Sequence, residues 1–378
     1  MKIIWVNPEF LDYRVPVYEE LQALCKGEFY IIFSKVHTSN RVIQKTTNAL
    51  GKHAIGLSDR EIVLKKRKNN FANTGLTIRY PEGLMKIIEK IKPDAIICEG
   101  FFKWSPYALL KAYRMHIPAF VVYERTKHTE RNCPWWREKA RKLLSPFIEG
   151  FIINGILTHE YLQDIGYDKK NHIKGCMAAD SHNLAEKAAK IKKELTTTEA
   201  KEGIEYLYVG QIVKRKGVEY LLKYWKKHIE SYPDDKLKII GNGPLLNNFK
   251  RQYIDLQSIH FIGSVDYDLI YQYYAKADVF IIPTLEDNWS LVVPEAMACG
   301  LPIATSIYNG CHPELVHEGE NGYTFDPLSE TSFLLCLSKF HQRDLPKMGE
   351  KSIEIEKEYT PDKVANRIFH FIDSTTCR

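Results

Sequence analysis

Close cysteine pairs, long apolar runs and the familiar nucleotide loops are all missing from this 378-residue sequence. Its eight cysteines, at positions 25, 98, 133, 176, 299, 311, 336 and 377, form no CxxC and no close His/Cys set. That excludes a zinc ribbon or finger and a disulfide framework, and leaves reduced thiols as the expectation. No stretch approaches the roughly eighteen consecutive apolar residues of a membrane span. The most apolar pieces, "DVFIIPTL" and "PDAIICEG", have the length of strands. Met1 and Lys2 lead directly into "IIWV", with no apolar segment and small-residue cleavage site, so the expected location is cytoplasmic. GxxxxGK[ST] and GxGxxG are both absent. No cofactor is expected. No zinc finger, helix-turn-helix pattern or aromatic RNA-binding motif supports a nucleic-acid partner.

What is present is the balance of a folded chain, 44% apolar and 26% charged. The net charge of +6 is uneven: residues 1–180 carry 29 Lys/Arg against 19 Asp/Glu, and the remainder 24 against 28. The basic first half suits either an anionic partner or a solvated positive face.

Short apolar segments alternate with helical patterns: "KIIWV", "FYIIFS", "DAIICEG", "PAFVVYE" and "GFIIN" in the first half, then "IEYLYVG", "KLKIIGNG", "IHFIGSV", "DVFIIPT" and "PIATS". Buried strands separated by helices predict α/β architecture, with a parallel sheet covered on both faces. The basic, Asn-rich residues 65–73 read as a loop. A polar, helix-prone stretch interrupts the pattern, giving an expected first domain over 1–175, a linker over 176–203, a second domain over 204–357 and a terminal helix and tail over 358–378. Two doubly wound, Rossmann-like domains would face each other across a cleft lined by C-terminal strand ends. The helix beginning at Pro361, apolar at Val364, Ile368, Phe369 and Ile372, is expected to return to the first domain.

The candidate site lies in the second half. "VGQIVKRKG" follows a strand; Gly210 permits a close turn and Lys214, Arg215 and Lys216 bring positive charge to a helix start. The segment is either an anion site or an exposed basic turn. "GNGP", with Gly241 and Gly243, either brings backbone near a phosphate or is an ordinary helix entry. In "EDNWSLVVPEAMACG", Pro294 is tolerated only near a first helical turn, which moves the helix start beyond Ser290 and puts Glu295 in that turn. Asp287 and Glu295 can accept hydrogen bonds from two parts of one elongated ligand, although Glu295 also suits plain helix-terminal stabilisation.

These blocks, with "FIGSVDYDLIYQYYAKADVFIIPT" and "CHPELVHEGENGYTFDP", resemble the retaining nucleotide-sugar glycosyltransferases of family 4, which have the two-domain GT-B fold. The likeness runs from about Ile204 to Pro327. It implies transfer of a sugar from a nucleoside diphosphate sugar to an acceptor, with the donor in the second domain and the acceptor in the first. The acidic pair of the family falls on Asp287, toward the donor sugar, and Glu295, toward the ribose. Asn288, Trp289, Ser290 and Leu291 lie between them as donor contacts, and Glu286 becomes a solvated neighbour. The phosphate-binding lysine falls on Lys216. Gln211 stands where the family has arginine, which leaves either a weaker clamp or one rearranged around Arg215. Gly210, Gly241 and Gly243 complete the donor loops, and the backbone of Gly310, Cys311 and His312 is placed to meet phosphate or sugar.

For the acceptor side the candidates are Tyr13 and Arg14, in "NPEFLDYRVP". Glu124 stands where relatives carry a histidine near the reacting sugar, and His128 follows four residues later; either can supply that interaction. The resemblance further implies a metal-independent, front-face route, with Lys216 and Asp287 central. The acceptor is expected to be a glycan or polyprenyl-linked glycan in cell-surface polysaccharide or lipopolysaccharide synthesis. Trp135, Trp136, Arg137, Lys139, Arg141, Lys142, Leu143 and Leu144 form an amphipathic helix that either rests on an anionic inner-membrane surface at its cytoplasmic face or is half-buried in the domain. A protein that binds sugar nucleotides or glycans without turnover is the competing reading.

Overall fold

The structure is a computed structural model and describes residues 1–65, 71–72, 76–195 and 202–376. The stretch 65–73 read as a loop falls largely outside the described residues, as does Cys377. The chain divides into two units, Met1–Ala178 with Pro361–Arg378, and Ala179–Thr360.

In the first unit seven parallel strands form one sheet: β1 (Ile3–Val6), β2 (Phe29–Ser34), β3 (Ala54–Leu57), β6 (Ala95–Glu99), β7 (Ala119–Tyr123), β8 (Gly150–Ile153) and β9 (Asn171–Ile173). Between β3 and β6 a separate antiparallel hairpin, β4 (Asp59–Lys65) and β5 (Leu76–Pro81), branches off. The sheet order is β3-β2-β1-β6-β7-β8-β9, with Ile3 of β1 level with Phe29 on one side and Ala95 on the other. Runs such as "IIWV" and "AFVVY" are buried at every position, as befits strands covered on both faces. The hairpin escapes the apolar pattern because its strands are exposed rather than buried, Ile62 and Leu64 included.

The second unit repeats the plan with six strands: β10 (Glu205–Val209), β11 (Lys236–Ile240), β12 (Ile259–Gly263), β13 (Val279–Ile282), β14 (Ile303–Ser306) and β15 (Gly322–Phe325). Their order is β12-β11-β10-β13-β14-β15, parallel throughout. Both sheets are thus doubly wound, reversing direction beside their first strand, between β1 and β6 and between β10 and β13. The C-terminal ends of strands at such a reversal are where open α/β sheets take ligands.

Residues 176–203 include a helix, His182–Leu195, that packs on the helices Tyr271–Lys276 and Val292–Ala298 of the second unit. The last helix, Pro361–Thr376, belongs to the first unit. Its Val364, Ala365, Ile368 and Ile372 are fully buried against the helix Val15–Leu24 and the β1 side of the sheet, and Phe371 meets Phe120 of β7 edge-on at 5.5 Å. Its apolar stripe at helical spacing supplies a face that burial against the first sheet satisfies.

Candidate functional site

At the reversal of the second sheet, the loop after β10 and the loop after β13 lie against each other. Gly217 makes this approach possible: its φ is +68°, and a Cβ there would stand 2.0 Å from the Pro283 carbonyl oxygen. The loop after β11 is equally close, since a Cβ on Gly241 would fall 1.8 Å from the oxygen of Gly210, and one on Gly243 2.3 Å from that of Ile212. The loop after β14 joins from the other side, with Gly310 under the Asn288 carbonyl. These glycines are contacts between neighbouring strand ends. Gly310 N–H and His312 N–H donate to the carbonyls of Asp287 and Asn309, and the N–H of Gly210 to that of Ile240. Two of the three backbone donors expected at residues 310–312 are therefore engaged within the protein.

Residues Lys214–Lys216 form a single 3-10 turn rather than an extended loop. This brings the neighbouring side chains of Arg215 and Lys216 to one carboxylate. Lys216 Nζ donates to Asp287 Oδ2, and Arg215 Nη1 lies 3.6 Å from the same oxygen while donating to the Glu286 carbonyl at 3.0 Å. Ser290 Oγ also donates to Asp287 Oδ2, at 2.6 Å. Burial works against ionising Asp287, but the charges of Lys216 and Arg215 and the bonds from Lys216 and Ser290 outweigh it, and its carboxyl lies below the ordinary range. Gln211 is exposed, and its carbonyl accepts from the buried Tyr208 hydroxyl at 2.9 Å. The two cations beside Asp287 are thus Lys216 and Arg215.

The helix Val292–Ala298 begins after Leu291 and has Glu295 in its first turn. Ser290 does not cap it, because its hydroxyl is directed to Asp287. Glu295 is nearly buried and accepts from the Tyr274 hydroxyl at 3.1 Å. Glu286, expected to be solvated, is buried. The short turn that carries Arg215 packs over it: Leu285 N–H and the Thr284 hydroxyl both donate to the Arg215 carbonyl. Trp289 is buried with its indole N–H unpartnered within the protein, as is the Asn288 side-chain oxygen. His312 Nδ1 lies 3.0 Å from the Asn309 carbonyl, and burial holds the imidazole below its usual pKa despite that bond. Cys311 is fully buried with its thiol on Asn309 Oδ1, so only its backbone is suited to a ligand.

Two residues that sequence reading overlooked organise this region. Asn309 accepts from Ser290 N–H and donates to Thr305 Oγ1, linking the loop after β13 to β14. Tyr274 fixes Glu295. Neither stands in a sequence pattern that marks it; only the packed strands bring them to their partners.

In the first unit a second polar group gathers at the corresponding reversal. Arg14 is buried, and Nη2 reaches Glu124 at 2.6 Å and Glu99, the last residue of β6, at 3.4 Å. Its guanidinium lies over the rings of Trp5 and Tyr13, and Trp5 Nε1 donates to Glu99 at 3.1 Å. Burial opposes the Arg14 charge, yet Glu99, Tyr13 and Glu124 keep it firmly ionised. Burial lifts the Glu99 carboxyl, against Arg14 and with the help of Glu124. Burial also pushes the Tyr13 hydroxyl up to about 12. Arg14 is thus engaged by carboxylates of its own unit instead of reaching outward. His128 lies in the turn closed by Thr126 and Thr129. Glu99 was the missed member; a lone acid ending the apolar strand "AIICE" was the available signal.

Two doubly wound, Rossmann-like units in one chain are the plan of the GT-B class of fold. Residues 203–342 match the family "Glycosyl transferases group 1". An uncharacterized glycosyltransferase of Haemophilus influenzae is 38% identical over 123 residues, which cover 31% of this chain and 33% of that protein. The chain thus spans about a third of the length of that curated relative. Among solved structures, HepE of Anabaena in complex with UDP-glucose is similar over 99% of this chain and 100% of its own, with a TM-score of 0.69 and 14% identity. The lipopolysaccharide outer core galactosyltransferase WaaB matches over 99% of both chains, with a TM-score of 0.71 and 14% identity. The chain thus has the GT-B fold, and its residues 203–342 are similar to the group 1 glycosyl transferases.

Proposed function

We propose that the chain transfers a sugar from a nucleoside diphosphate sugar to an acceptor hydroxyl, with retention at the anomeric carbon. The observation that carries this reading is the convergence of Lys216, Arg215 and Asp287 from two loops at the reversal of the second sheet. As the glycosidic bond breaks, negative charge collects on the leaving diphosphate, and Lys216 and Arg215 are the cations that stabilise it. Asp287 holds those cations in place and accepts from donor-sugar hydroxyls, while Glu295, fixed by Tyr274, accepts from the ribose. The unpartnered Trp289 N–H and Asn288 oxygen supply further contacts. Glu124, held by Arg14, is the carboxylate assigned to the acceptor side.

The acceptor assigned is a glycan or a polyprenyl-linked glycan of cell-surface polysaccharide, a class supported by the fold shared with the lipopolysaccharide outer core galactosyltransferase WaaB. Among the described residues no helix is long and apolar enough to cross a membrane. Peripheral contact with the cytoplasmic face of the inner membrane is assigned to the helix Trp135–Leu144. Trp135, Lys139, Lys142 and Leu143 recur on one face and are exposed. Arg141 does not belong to this face, being buried and paired with Glu130 at 2.7 Å and Tyr161 at 2.5 Å.

The test is a panel of UDP-, GDP- and ADP-sugars, read first by thermal shift and then by product mass with a lipid-linked and a soluble acceptor. One donor is expected to stabilise the protein and to yield free nucleoside diphosphate. Absence of stabilisation by every donor refutes the donor site, and binding without turnover under all acceptor conditions favours the non-catalytic reading.

A further inference from the structure

At the opposite end of the second sheet, where its strands begin, three side chains from separate elements meet. His228 lies in the last turn of the helix Val218–Ser231, Asp235 immediately precedes β11, and His341 follows the helix Glu330–Phe340. Asp235 Oδ2 lies 2.7 Å from His228 Nε2 and 3.0 Å from His341 Nε2. The three atoms are all within 4.8 Å of one another. His228 and Asp235 are buried, whereas the His341 side chain is 20% exposed.

The geometry points to a divalent transition-metal site, suited to Zn²⁺, formed by His228, Asp235 and His341. Zinc takes imidazole nitrogen and carboxylate oxygen at about 2.0–2.2 Å, so a slight opening of the present separations admits the ion. Two imidazoles favour Zn²⁺ over Mg²⁺ or Ca²⁺, which take oxygen ligands. The surroundings already orient the ligands. Asp235 Oδ1 accepts from Ile204 N–H at 2.7 Å, and the Tyr232 ring stacks on His341 at 3.7 Å and on His228 at 5.0 Å. Such outer contacts set ligand direction. The exposed edge of His341 leaves room for water as a fourth ligand. The ion ties the end of one helix, the lead-in to β11 and the end of another helix, and so stabilises the second unit without taking part in sugar transfer.

The full chain, stripped with chelator and dialysed against Zn²⁺, is assayed for bound metal by mass spectrometry and for melting temperature. One equivalent is expected, with a raised melting temperature. His341→Ala, at the partly exposed position, is expected to weaken binding at least tenfold and to abolish the rise while keeping the wild-type circular dichroism. A Co²⁺-loaded sample is expected to show ligand-field bands without thiolate charge transfer. Failure to retain Zn²⁺, equal retention by His341→Ala and Asp235→Asn, or a thiolate band from the cysteines overturns the site and leaves a hydrogen-bonded triad.

Discussion

The ammonium of Lys216 and the carboxylate of Asp287, 71 residues apart, are joined at the reversal of the second sheet, with Arg215 as a second cation beside the same oxygen. Asp287 thus occupies the very cations assigned to a diphosphate, and holds them at its edge. A phosphate entering here shares Lys216 with Asp287. Lys216→Ala is expected to lower kcat by about 10²–10³ through loss of charge stabilisation on the leaving group. Steady-state kinetics with the donor found in the sugar-nucleotide panel checks this, and unchanged turnover refutes the assignment.

The same pair predicts a pH dependence of stability. The folded-state pKa of Asp287 is lowered from its ordinary 3.8, because two cations and two hydrogen bonds overcome the penalty of burial. A depressed carboxyl contributes stability in full above its unfolded value, about 4, and loses it as pH falls through the folded value. Asp287→Asn removes that contribution. Urea unfolding at neutral and acid pH should therefore find the variant less stable at neutral pH, with a gap that narrows on acidification. Parallel curves would show that the carboxyl is not depressed.

Backbone proximity at Gly217 yields a sharper structural test. Gly217→Ala meets the Pro283 oxygen at 2.0 Å as well as an unfavourable φ of +68°. Gly27→Ala has a similar φ of +84° but nothing within 4 Å. The second substitution is expected to cost about 1–2 kcal/mol from the left-handed conformation alone. The first costs clearly more and weakens donor binding, because the β10 and β13 loops must part. Equal losses in chemical denaturation would mean that the loops yield freely.

In the first unit, Arg14 separates two carboxylates that would otherwise repel. Arg14→Met leaves Glu99 and Glu124 without their cation and is expected to cost about 3–5 kcal/mol, as for other broken buried pairs. Glu124→Gln keeps a partner for Arg14 and is expected to fold stably while lowering kcat with little change in donor KM. Equal destabilisation by the two variants, or a loss confined to donor KM in Glu124→Gln, would oppose this division of roles.

Membrane contact through the helix Trp135–Leu144 predicts that Lys139→Glu with Lys142→Glu reduces cosedimentation with vesicles of anionic lipid, roughly 1 kcal/mol or about fivefold per charge near the surface. Activity on a soluble acceptor should stay unaltered. Wild-type protein that fails to bind anionic vesicles would refute the contact.

Most parallel strands were readable because burial on both sheet faces demands continuous apolar runs, and "IIWV" or "VFII" is little else. The hairpin of β4 and β5 was not, since its exposed strands carry a mixed pattern without such a demand. In the site, Pro294 restricted where a helix could start, and Glu295 accordingly lies in the first turn. Whether Arg215 joins Lys216 was open in the sequence, because adjacent side chains spread apart in an extended loop; the 3-10 turn at Lys214–Lys216 brings both to Asp287. Glu286 shows the same limit, because burial of a loop carboxylate depends on a distant loop folding over it.

Local patterns in the chain by themselves determined two rounds of strand and helix, the apolar stripe of the last helix and the acidic and basic loops after β10 and β13, because each follows from backbone geometry and side-chain periodicity over a few residues. Only the tertiary structure decided that Tyr274 holds Glu295, that Arg14 bridges Glu99 and Glu124, and that His228, Asp235 and His341 converge. Those partners are far apart in sequence or carry no repeating pattern, and their meeting follows from the sheet order and close packing of elements that no short stretch of sequence contains.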